Sequence, residues 1–110
     1  MKATVEIDAG ICGFRTTAAA ISPDDQNVSF DVQTDCEKIR QLGDLLKTQD
    51  PFDAFQEIGP SPGSAVMRAA RSVLTGCCAG CAVPVGLFKA MQVAAGLALP
   101  KDIVIRLARE

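Results

Sequence analysis

The residues best suited to chemistry are cysteines. The chain has five of them among 110 residues. Three fall in the run Gly76-Cys77-Cys78-Ala79-Gly80-Cys81-Ala82-Val83-Pro84, where Cys78 and Cys81 form a Cys-x-x-Cys pair with a glycine inside the loop and a helix expected to follow. That spacing can direct two sulfurs at one ion. Ligation needs thiolates, and the free amides of a helix start lower thiol pKa values and can hydrogen-bond to cluster sulfurs. The remaining pair is Cys12 and Cys36. With no His, Tyr or Trp in the chain, there is no imidazole base, no imidazole ligand and no phenolic acid. Acid-base or metal chemistry is confined to Cys, Asp, Glu, Lys and Arg.

The elements that must position these thiols follow from periodicity. Ala3, Val5, Ile7 and Ala9 alternate with Thr4, Glu6 and Asp8, and Val28, Phe30 and Val32 alternate with Ser29, Asp31 and Gln33. Each pattern reads as a strand with one buried face. Phe14 to Ile21 makes a middle strand between Gly10, Gly13 and the Ser22-Pro23-Asp24-Asp25 turn, giving an antiparallel meander. Thr34 and Glu37 have the spacing of a capping box before the helical stripe Ile39, Leu42, Leu45 and Leu46. Asp50-Pro51 is suited to start a short helical piece with Phe52, Phe55 and Ile58, ended by Gly59 to Gly63. A further helix is expected from Ser64 to Leu74, and another after Pro84 carrying Leu87, Phe88, Met91, Ala94 and Ala95. Gly96 to Pro100 breaks that helix, and Ile103, Val104, Ile105 and Leu107 read as a last strand. The expected fold is a single α+β domain over residues 1–110: an antiparallel sheet, made of the three-stranded N-terminal meander plus a C-terminal strand, covered on one face by three or four helices.

This topology bears on the thiols. In a meander the first connection and the exit of the third strand lie at one end of the sheet, so Cys12 and Cys36 are expected to be neighbours. A last strand parallel to the first and third would bring Cys78 and Cys81 to the same end. Cys12, Cys36, Cys78 and Cys81 would then form a four-thiolate site for zinc or an iron-sulfur cluster, with Cys77 as a substitute ligand. Two other readings of the same residues stand beside it. One is a thiol or persulfide sulfur carrier using Cys77, Cys78 or Cys81, and the other is an interaction domain with buried free thiols. None of the three calls for turnover chemistry.

Other features narrow the field. The net charge of −2, from 11 basic and 13 acidic residues, leaves no footprint for nucleic acid or an anionic membrane. Acidic residues at Glu6 and Asp8 interrupt any export signal, and Gly76, Gly80, Pro84 and Gly86 interrupt the longest low-charge stretch. A soluble cytoplasmic protein with reduced thiols is expected. Gly80, Gly86 and Gly96 do not follow a strand at dinucleotide-binding spacing and are assigned to turns and close helix packing. Lys89 is read as solvated, Arg68 and Arg71 as a wet helix face, and Asp8, Asp35 and Glu37 as strand-surface or capping residues.

Thr75-Gly76-Cys77-Cys78-Ala79-Gly80-Cys81, a helix, and then Leu99-Pro100-Lys101-Asp102-Ile103-Val104-Ile105 together resemble the cysteine loop, helix and final strand of NifU-type iron-sulfur scaffold domains. The resemblance implies a cluster held by Cys78 and Cys81, commonly shared between subunits, and hence a homodimer or a redox or cluster-transfer protein as partner. It covers residues 75–105 only. The three N-terminal strands, the additional helices and Cys12, Cys36 and Cys77 lie outside that pattern. The whole chain, the segment from Cys81 to Pro100 above all, also resembles a small cysteine-rich family of anaerobic microbes, a likeness that implies no activity.

Overall fold

Alternation with a period of two places Ala3, Val5 and Ile7 on one side of the first strand and Lys2, Thr4, Glu6 and Asp8 on the other. The computed structural model, which describes residues 1–110, shows the first side packed and the second exposed. Strand β1 (Lys2–Asp8) pairs antiparallel with β2 (Arg15–Ile21), and β2 with β3 (Asn27–Thr34). Ile7 lies opposite Thr16, which lies opposite Thr34, so the three packed rows are in register. Helices cover that face, and the opposite face carries mostly polar residues, with Ala19 and Ile21 among them.

Helix α1 (Glu37–Gln49) packs on β3 through Ile39, Leu42 and Leu46. A Cβ at Gly43 would lie 3.2 Å from Val32 Cβ, so glycine permits this close approach. Helix α4 (Val83–Ala94) lies over β1 and β2 with Leu87, Ala90, Met91 and Ala94 buried. Its direction is fixed by two glycines: a Cβ at Gly86 would sit 2.6 Å from Ile7 Cδ1, and one at Gly96, just past the helix, 3.3 Å from Met1 Cε. Thus α4 starts over the Asp8 end of β1 and finishes over the Met1 end. Helix α3 (Ala65–Val73) bridges α1 and α4.

Two expectations are corrected. The fourth strand is β4 (Phe52–Asp53), paired antiparallel with β3, and not a segment near residue 105. Phe52 is buried and its ring meets that of Phe30 with centroids 5.7 Å apart at 60°. This contact draws the chain into the sheet where the Asp50-Pro51 sequence predicts a helix start. The short helix α2 (Ala54–Glu57) instead begins after Asp53, whose carboxylate accepts from the amides of Phe55 and Gln56, and Phe55 and Ile58 face solvent. Ile103 to Leu107 form no strand. They are exposed, and no backbone hydrogen bond joins them to the rest of the chain, because β propensity becomes a strand only where a partner edge is engaged.

Residues Gly76–Ala94 have the length and hydropathy of a membrane span. They are divided at Cys81–Ala82 into a 3₁₀ turn (Gly76–Gly80) and α4. The apolar residues of α4 are accounted for by their place in the core.

Candidate thiol site

The end of the sheet defined by Asp8, Arg15 and Thr34 collects the cysteines. Between β1 and β2 the chain turns through Gly10 and Gly13, both at positive φ (92° and 75°), a conformation glycine adopts without strain. The Gly13 amide donates to Gly10 O (2.9 Å), and the Asp8 carboxylate accepts from the Gly10 amide (3.2 Å). Cys12 is exposed at the tip of this loop.

Cys36 reaches the same end as the N-cap of α1. The expected capping box is replaced by another arrangement, because Thr34 is still in β3, opposite Thr16. Its hydroxyl hydrogen-bonds to Thr16 Oγ1 (2.9 Å) and accepts from the Cys36 amide (3.1 Å). Glu37 pairs instead with Arg40 at 2.9 Å. The Cys36 carbonyl accepts the first helical bond from the Arg40 amide (2.9 Å), while no side chain caps the helix. The Cys36 sulfur therefore belongs to a residue at the positive end of a 13-residue helix.

The other three cysteines arrive through the 3₁₀ turn after α3. Gly76, at φ 64°, reverses the chain, and bonds from the Cys78 amide to Thr75 O (3.2 Å) and from the Cys81 amide to Cys78 O (3.1 Å) shape the turn. A 3₁₀ turn repeats every three residues, so Cys78 and Cys81 return to the same side. Both are half-buried against the core, as is Cys36, whereas Cys77 is exposed. Because α4 starts over the Asp8 end of β1, this turn lies at the Cys12–Cys36 end. The direction of α4, and not a last strand, is what brings the turn to this end.

Electrostatics shows which sulfurs share one environment. Burial pushes the Cys78 thiol above its ordinary value of 9.0, followed by its hydrogen bond with Cys77 and then by the charges of Cys77, Cys36 and Cys81. Cys78 thus feels sulfurs from two distant segments, Cys36 on one side and Cys77 and Cys81 on the other, and Cys12 is not among them. For Cys78 the helix-start effect anticipated from sequence is outweighed by desolvation and by neighbouring thiols. No three Cys, Asp or Glu side chains stand close enough together to hold a metal ion in this arrangement. The grouping is a loose one.

Beside Cys81 lies a recess of about 100 Å³ lined by Met67, Ala70, Arg71, Leu74, Pro84 and Val85, among others. Arg71, assigned from sequence to a wet helix face, thus lines a recess shared with one of the cysteines. Lys89 is exposed. A larger recess of about 300 Å³ between α1 and β3 is lined by Arg40, Asp44 and Lys47 and contains no cysteine.

Sequence reasoning missed Glu57. This residue is buried, and its carboxylate accepts from the amides of Ala65 (2.7 Å) and Val66 (2.8 Å) and from Ser64 Oγ (3.0 Å), holding the start of α3. Its partners lie across the Gly59–Gly63 loop, beyond the reach of a local capping pattern.

Searches of curated proteins and of solved structures return no match to this chain. A family model described as "Family of unknown function (DUF6951)" matches residues 3–107, from the first strand through all five cysteines to the extended segment, and the chain belongs to that family.

Proposed function

We propose that this protein binds a thiophilic metal ion or an iron-sulfur cluster through Cys36, Cys78 and Cys81, with Cys77 or Cys12 completing the set. It would act in electron transfer, cluster handling or regulation in a reducing cytoplasm, without turnover of its own. The observation that carries this reading is that Cys36, Cys78 and Cys81, from two segments far apart in the chain, are all half-buried against the core at the uncapped starts of α1 and α4, where, beyond burial and Cys77, Cys36 and Cys81 both raise the pKa of Cys78.

The donor set suits the group. Thiolates alone satisfy zinc at about 2.3 Å or an iron-sulfur cluster, and binding would have to draw the loose grouping together. Two helix starts oriented toward the thiols, with Arg71 beside Cys81, offset negative charge on the ligated sulfurs. When bound, the group would supply redox or structural chemistry. The chain supplies the thiols, and Cys78, protonated near neutral pH, must lose its proton on ligation, so affinity rises with pH. The recess beside Cys81 is well below the roughly 300–1,000 Å³ of small-molecule pockets, which favours an ion or cluster over an organic substrate.

Anaerobic purification, metal analysis and an optical spectrum test the proposal on the wild type and the five single Cys→Ser variants. C36S, C78S and C81S are expected to lose most of the metal, and one of C77S and C12S to lose it in part. One observation favours a second reading. Exposed Cys77 directly precedes half-buried Cys78, an arrangement in which Cys77 could accept sulfane sulfur from a persulfide donor, releasing the donor's thiolate, while its neighbour resolves it. A metal-free wild type that takes up sulfur on Cys77 alone would put this reading first.

A further inference from the structure

The segment after α4 departs from the economy of the rest of the fold. Leu99, Ile103, Val104, Ile105 and Leu107 are 90, 51, 67, 66 and 94% exposed, and from Leu99 onward the backbone makes no hydrogen bond to another element. Unpaired, β-branched and apolar, this stretch has strand composition and lacks only an edge to pair with. The domain has such an edge. In the strand order β1-β2-β3-β4, β1 is terminal, and its seven residues bond to β2 on one side only. The molecule measures 44 × 27 × 27 Å, which fits an arm projecting from a globular body.

We infer that residues Asp102–Leu107 of one copy add as a fifth strand to the β1 edge of a second copy, reciprocally, in a strand-exchanged homodimer. The residues match in kind and in register. A parallel alignment with Ile103 beside Ala3 puts Ile103, Ile105 and Leu107 on the core side beside Ala3, Val5 and Ile7, where Val5 is only half-buried. On the open face the same alignment puts Asp102 beside Lys2 and Arg106 beside Glu6, each a pair of opposite charges. An antiparallel alignment about Ile105 and Val5 would put Asp102 beside Asp8, which disfavours it. The direction follows from α4, which ends at the Met1 end of the sheet, so an arm leaving there enters its partner's edge at Lys2. A two-fold exchange satisfies both edges and both arms at once. It joins the copies at their Met1 ends and leaves each thiol site at an outer pole, complete within its own chain. This inference is independent of what the thiols bind.

Sedimentation equilibrium of the full chain under reductant, at tens of micromolar, is the test. A dimer is expected, reduced to monomer when Lys101–Glu110 are removed, with the helical far-UV circular dichroism signal retained and some strand signal lost. Ile105→Asp should weaken the dimer by roughly a hundredfold, because it sets a carboxylate against the apolar core side of the joint sheet. An exposed arm would tolerate that substitution without effect. Lys2→Asp should weaken the dimer and Lys2→Asp with Asp102→Lys restore it. A monomeric wild type, with the arm solvated or folded onto its own β1, overturns the inference. So does a dimer that survives both the deletion and Ile105→Asp.

Discussion

The helix starts of this domain fall into two kinds. Those of α2 and α3 are held by side chains: Asp53 accepts from the amides of Phe55 and Gln56, Ser64 from that of Met67, and Glu57 from those of Ala65 and Val66. Those of α1 and α4 begin at Cys36 and Ala82 with no side-chain cap, and both lie at the cysteine end. The contrast teaches that polar groups are committed to the fold on one side of the molecule and left available on the other. A cap contributes about 1 kcal/mol and occupies the amides it satisfies. Omitting two of them where the thiols gather gives up stability and keeps donors free for a ligand.

Removing the strongest cap should break the comparison most visibly. Glu57→Ala strips three donors of their buried acceptor and is expected to lower stability by about 2–4 kcal/mol in urea unfolding, with metal content per folded chain unchanged. Gly86→Ala tests the seat of α4: the new methyl must displace Ile7, costing about 1–3 kcal/mol, and by shifting the start of α4 it should also weaken metal binding. Cys36→Ser is expected to act in the opposite direction on stability. Serine is a good N-cap where cysteine makes no cap bond, so the metal-free variant should gain about 0.5–1 kcal/mol while losing metal. A Cys36→Ser protein that is both less stable and fully loaded would collapse the distinction between the two kinds of start.

The smallest effects are in pH. At the other end of the sheet Asp24 accepts from the Asn27 side chain and from the amides of Asn27 and Gln26, which lowers its pKa from 3.8 to about 2. Its contribution is present above pH 3.8 and is lost as pH falls toward 2, and Asp24→Asn should remove that acid limb. At the cysteine end the sign is reversed. Cys78 is raised above 9.0, so metal-free stability holds below that pH and falls above it, where the unfolded thiol ionises and the folded one does not. Cys78→Ser should flatten the alkaline limb in a chemical-denaturation series.

Much of this was legible in the residues. Alternating Ala3-Val5-Ile7 and Val28-Phe30-Val32 mark strands packed on one face, and the stripes of α1, α3 and α4 mark the helices that cover it, because solvent exposure imposes those periods locally. The cysteine end was legible too, since a meander returns Cys36 to the side of Cys12. What escaped depended on partners distant in sequence. Phe52 joins the sheet through Phe30, and Glu57 caps a helix across a loop. Cys78 answers to burial and to Cys36, neither visible in the Cys-x-x-Cys spacing. Ile103 to Leu107 have strand composition but form no strand, because pairing is a property of two edges and only one of them is in that segment.

The placement of Cys36 beside the 3₁₀ turn also bears on heat and history. The chain between Cys36 and Cys78 contains α1, β4, α2 and α3, so an ion or oxidant that ties these two sulfurs closes a loop around more than a third of the protein. Such a tie restricts the unfolded chain far more than the folded one. The melting temperature should therefore depend on how a sample was prepared, so that a preparation stripped by chelator and reductant melts earlier than one that kept its tie.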